Sequence, residues 1–191
     1  MSKEEKVIDP LQLLNDRFEE IIFALELCKD KGFILPTLMI LYTAIDSAAH
    51  LYSNNKTVRK RFMDWVDKFM IKSENLGFTS IDLYSARCGI LHTLTSTSSL
   101  VLEGKAKKGI YSLDDSNKND LKKVLDPTAL DECFFVKLDE LIKLFYKGFL
   151  EFFDSIFKDQ KLKSNVISKC EKYYNHTTID EMAKELGIKT V

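Results

Sequence analysis

The stretch FILPTLMILYTAIDSAAHLY, Phe33 to Tyr52, carries a single formal charge, Asp46. A run of this length with no polar face reads as a helix buried on all sides, at the centre of a bundle. It is also apolar enough to raise the question of a membrane span. Pro36, Asp46 and His50 lie within it, and a carboxylate near the middle of a span is costly. The reading is therefore a core helix over about 35–52, broken by Ser53-Asn54-Asn55.

Helical patterns continue on both sides. Asp9-Pro10 has the chemistry of an N-cap followed by proline at the first helical position. Leu14, Phe18, Ile21, Leu25 and Cys28 then recur every three or four residues up to a stop at Gly32. Downstream, 56–70 places Phe62, Trp65, Val66 and Phe69 inward. Thr79-Ser80-Ile81-Asp82 resembles a capping box with Asp in place of Glu and starts a helix to about 95. Ser98–Leu102 and Gly109–Leu113 read as two short strands around a lysine-rich turn, and Asp114–Lys123 as a polar, mobile connection. Asp126-Pro127 opens a long helix to about 157 with the stripe Phe135, Leu138, Ile142, Phe145, Phe149, Phe152 and Ile156. Gly148 marks a bend or a close contact in it. Short helices follow over about 163–174 and from Thr178, the latter ending at Gly187.

The expected architecture is all-α: an up-down helical bundle with a small β-hairpin insertion around 98–113. It is one domain over 1–191, with a core over 9–157 and a C-terminal helical appendage over 160–187. The composition agrees. Only 7 Gly and 3 Pro occur in 191 residues, which argues against turn-dense all-β designs. Lys+Arg is 28 and Asp+Glu 29, a net charge of −1, so nucleic-acid binding has to come from a local patch. Cys28, Cys88, Cys133 and Cys170 form no C-x-x-C pair and no zinc spacing with histidine. They read as reduced thiols of a cytoplasmic protein, and the charged start MSKEEK does not read as a signal peptide. No phosphate-cradling glycine loop or nucleophile elbow is present. No cofactor, metal or membrane contact is expected.

One segment breaks the pattern of solvated charges. From Leu83 to Leu102 the only formal charge is Arg87. On a helix it falls within about 40° of the face shared by Leu83, Ile90 and Leu94. An arginine there needs a partner. The matching oddity is Asp46, stacked with Tyr42 and His50 at four-residue intervals. We expect Asp46 to meet Arg87. Three readings remain: a structural ion pair, an arginine that snorkels to solvent, or an arginine held by Asp46 with its outer face open to an anion. His92 lies about 140° around the helix from Arg87. Ser85, Cys88 and Gly89 are small residues suited to close approach by another helix or a second subunit.

Arg87-Cys88-Gly89-Ile90-Leu91-His92 fits an R-x(4–6)-H motif. The segment 83–108 resembles the HEPN (higher-eukaryote and prokaryote nucleotide-binding) family of α-helical proteins. Many of its members are metal-independent ribonucleases, often toxins or defence effectors. Cys88 stands where the family commonly has Asn, Asp or His. The resemblance implies RNA cleavage through the 2′-hydroxyl, with His92 as acid/base, Arg87 as phosphate clamp and Asp46 orienting Arg87. It also implies a homodimer through the motif helix, packed at Ser85 and Gly89, and an antitoxin or other protein partner. Lys105, Lys107 and Lys108 are candidate RNA-backbone ligands, as are Lys56, Arg59, Lys60 and Arg61, with Tyr111 able to stack a base. The alternatives are a non-catalytic HEPN-like module binding a protein or nucleotide, and a nucleic-acid adaptor docking through its last helices.

Overall fold

The computed structural model describes residues 9–72, 76–113, 130–173 and 187. The mobile stretch expected at 114–123, the Asp126-Pro127 start and the helix expected from Thr178 lie outside these residues. The protein is mostly helical, as its periodicities predict, with a two-stranded parallel sheet.

Helix α1 (Pro10–Asp30) begins as read, with the Asp9 carboxylate accepting the Leu11 N–H at 3.0 Å and proline at the first position. Helix α2 (Ile34–Tyr52) is the central element. It is long and apolar enough to cross a bilayer by length and composition alone. Here it packs against five other helices, and Leu41, Tyr42, Ala44, Ile45 and Ala48 are fully buried. Helix α3 (Val58–Trp65) runs straight into a π-helix, Val66–Ile71. The four residues read as inward, Phe62, Trp65, Val66 and Phe69, are all buried.

Helix α4 (Ser80–Thr93) starts on the expected box: Asp82 Oδ2 accepts both the Thr79 N–H and its hydroxyl at 2.8 Å. It ends two residues earlier than expected. Leu94 adopts φ +57°, the left-handed conformation that closes a helix. Leu94 is therefore off the apolar stripe and 58% exposed. The chain then turns back along α4 through a single helical turn, α5 (Ser99–Leu102).

The hairpin expected around 98–113 does not form. Ser98–Leu102, read as a strand, is mainly that helical turn. The second strand exists as β1 (Lys108–Ser112), and it pairs in parallel with β2 (Cys133–Lys137), Lys108 opposite Cys133 and Ser112 opposite Lys137. Helix α6 (Leu138–Lys158) consequently starts well after Asp126-Pro127. CFFVK is aromatic and β-branched, and it buries Phe134 and Val136 alternately. The helical stripe counted Phe135 because a phenylalanine-rich run satisfies both the two-residue and the 3.6-residue period. From Leu138 to Ile156 every residue of that stripe is buried. Gly148 lies where α6 meets the π-helix, and a Cβ there would stand 2.9 Å from the Phe69 carbonyl oxygen.

Helix α7 (Gln160–Tyr173) contributes Leu162, Val166 and Cys170 to the same core. Over these residues it packs against α1, α2 and α6. The Lys169 ammonium reaches the C-terminal end of α2 and donates to the carbonyls of His50 (2.5 Å), Ser53 (2.8 Å) and Leu51 (3.3 Å). A cation there suits the negative end of the helix dipole.

Candidate functional site

Helices α2 and α4 cross where their isolated charges meet. Asp46 Oδ2 accepts Arg87 Nε at 2.6 Å and also pairs with Nη2. The two side chains are only 20% and 15% exposed. The snorkelling alternative is thereby excluded. Asp46 Oδ1 is buried and has no hydrogen-bond partner among the described residues, so the pair is lopsided, with one oxygen taking both donors. Burial pushes the Asp46 carboxyl above its ordinary value, against the hydrogen bond and charge of Arg87 and the charges of Arg61 and His92. For Arg87, burial works downward, and the Asp46 hydrogen bond and charge more than reverse it.

The third guanidinium nitrogen points elsewhere. Arg87 Nη1 lies 3.3 Å from His92 Nε2. The two positions are far apart around the helix, and the length of the arginine side chain closes the gap. Arginine can only donate, so a hydrogen bond here takes Nε2 as the acceptor, which is the tautomer with the ring proton on Nδ1. His92 is exposed at the C-terminal end of α4. The result is a fixed cation whose inner side is held by a carboxylate and whose outer side meets an exposed imidazole.

The small residues of α4 have a different role from the one expected. A Cβ on Gly89 would stand 2.5 Å from the Thr95 carbonyl oxygen and 2.9 Å from that of Thr97. Ser85 Oγ is buried and hydrogen-bonded to Ser98 Oγ at 2.6 Å. Asp82 Oδ1 accepts the Lys107 N–H at 2.7 Å. Asp82, Ser85 and Gly89 thus form one face covered by the chain's own returning segment. They offer no surface to a second copy.

The Lys107 backbone N–H is tied to Asp82, five residues before Arg87 and about 7.5 Å from it along α4. Lys108 opens β1, and Lys105 pairs with Glu103 at 2.6 Å. In the other basic cluster Lys60 pairs with Asp64 at 2.8 Å, and Lys56 and Arg59 are exposed. Arg61 donates to the Asn55 carbonyl at 2.7 Å and is near enough to Asp46 to act on its charge. Tyr111 is no base-stacking platform. Its hydroxyl is bonded to that of the fully buried Tyr42 at 2.6 Å, and its ring stands edge-on to Phe134. Among the described residues no three His, Cys, Asp or Glu side chains converge to hold a metal ion.

No family model, curated protein or solved structure matches the chain. The HEPN resemblance rests on the motif and its setting.

Proposed function

We propose that the protein is a HEPN-like endoribonuclease that works without a metal ion, with Arg87 and His92 as its catalytic residues and Asp46 as a positioning residue. The observation that carries this is the Arg87 Nη1–His92 Nε2 contact, made while Asp46 holds the other side of the guanidinium. RNA brings its own nucleophile. As the phosphate draws the guanidinium away, His92 Nε2 is released from Arg87 Nη1 and accepts the 2′-hydroxyl proton while the 2′-oxygen attacks phosphorus. Arg87 stabilises the charge that builds on the phosphoryl oxygens. The P–O5′ bond breaks, and the 5′-oxygen takes a proton from water or from the imidazole of a second copy. Such a dimer would meet through the open Arg87–His92 side of α4. All four cysteines are free thiols, and the proposal places the protein in the cytoplasm, where they stay reduced.

The test is cleavage of mixed-sequence RNA in EDTA by wild type, His92→Ala and Arg87→Ala, each checked for fold by circular dichroism. His92→Ala is expected to lose roughly 100-fold or more, the contribution of a general acid–base group. Full activity in a folded His92→Ala protein would exclude the assignment. Uncut RNA with wild type would leave Asp46–Arg87 as a structural ion pair and favour a non-catalytic binding module.

A further inference from the structure

The outward face of α1 is apolar in its middle and charged at its two ends. Glu20, Phe23, Ala24, Leu27 and Lys31 recur at three- and four-residue intervals, so they form one stripe along the helix. The centre of that stripe is uncovered: Phe23 is 72% and Leu27 50% exposed. Beside it, α1 and α2 leave a groove of about 360 Å³ lined by Glu20, Ile21, Ala24, Met39, Ile40 and Thr43. The Thr43 hydroxyl is spent on the Met39 carbonyl at 2.8 Å, so Glu20 is the polar group this groove offers. The Glu20 carboxylate pairs with Arg17 at 3.2 Å, but both side chains are exposed, and an exposed pair of that kind is weak enough to be shared. At the other end Lys31, the C-cap residue of α1, is exposed and makes no side-chain bond among the described residues. A joined apolar patch with charges at its rim has the anatomy of a docking surface.

We propose that this face is covered by a second copy of the same chain, with the two α1 helices packed antiparallel. The charge pattern selects that occupant. Glu20 and Lys31 stand eleven residues apart on one stripe, about 16 Å along the helix. A two-fold axis midway between them sets Glu20 against the partner's Lys31 and Leu27 against the partner's Ala24. Symmetry repeats both contacts, so two opposite-charge pairs close an apolar centre from either end. Parallel pairing would set Glu20 on its own copy and Lys31 on its own copy, which is repulsive. An anionic lipid surface would likewise meet Glu20 in the middle of the patch. Burial of Phe23 and Leu27 supplies the attraction, and the end charges set direction and register. The contact lies on α1, not on the Arg87–His92 side of α4, and it does not depend on the reaction attributed to those residues.

The test is sedimentation of the full chain at concentrations up to about 100 μM, where a specific contact of even modest affinity is populated. Wild type is expected to be a dimer. Phe23→Asp changes a side chain that is mostly outside the core, and it is expected to be a monomer with the circular dichroism of wild type. Glu20→Lys and Lys31→Glu each set like charges together at both ends of the seam, and each is expected to weaken the dimer several-fold. The double variant Glu20→Lys/Lys31→Glu exchanges the two signs and is expected to recover wild-type affinity, the mark of a direct pair. Monomeric wild type would overturn the proposal and leave the face to a different partner. A dimer indifferent to Phe23→Asp would overturn it by moving the contact to another surface, such as the open side of α4. A double variant no tighter than the single ones would overturn the antiparallel register. None of these readouts involves RNA cleavage, so their failure leaves the nuclease reading where it stood.

Discussion

Arg87 divides its donors between a carboxylate that fixes it and the imidazole of His92. That division separates a structural role from a chemical one. Removing one member of a largely buried pair commonly costs about 3–5 kcal/mol, because the other charge is left without a partner. Lost activity in Arg87→Ala therefore counts only in folded protein, whereas His92 is exposed and its removal leaves the pair intact. His50 gives a pH prediction with a definite sign. Burial, and then the charges of Lys169, Arg61 and Lys172, hold its value below the ordinary one. The unfolded chain therefore takes up this proton first, and stability falls as pH drops through about 6.5, the ordinary histidine value. Urea unfolding between pH 8 and 5 is expected to show a smaller loss for His50→Gln than for wild type. Equal losses would show that His50 does not sense these cations.

Among the elements, α2 organises the molecule through one stripe. Tyr42, Asp46 and His50 each find a polar or aromatic partner on a different element: Tyr111 on β1, Arg87 on α4 and Tyr173 on α7. The spacing of that stripe, and the isolation of Asp46 and Arg87, were legible because a charge in an apolar run demands a partner. The partners of Tyr42 and His50 were not. His50 and Lys169 are 119 residues apart, and nothing local marks such a meeting. The small face of α4 was legible as a close contact but not as to what makes it, since a covering segment of the same chain and a second copy demand the same small residues. The returning Thr95–Ser98 segment settles it, and it changes what Gly89 tests. Gly89→Ala is expected to destabilise the fold by about 1–3 kcal/mol, the usual cost of forcing extra volume into a packed site, and to disturb the segment next to His92. A urea midpoint equal to that of wild type would show that the Thr95 and Thr97 carbonyls move aside freely.

At the scale of the whole molecule, a mostly helical bundle around α2 places its unusual charges on one side of that helix. The long helices were readable because their stripes persist over several turns. The parallel pairing of β1 with β2 was not, because a strand partner with about twenty residues between gives no local turn signal. The account as a whole depends on the reaction attributed to Arg87 and His92, and the chemistry of the product ends tests it most directly. RNA is incubated with wild-type protein in EDTA, and both new ends are identified by mass spectrometry. Attack by the 2′-hydroxyl predicts a 2′,3′-cyclic phosphate on one fragment and a free 5′-hydroxyl on the other. Uncut RNA, or a 3′-hydroxyl beside a 5′-phosphate, would contradict the account.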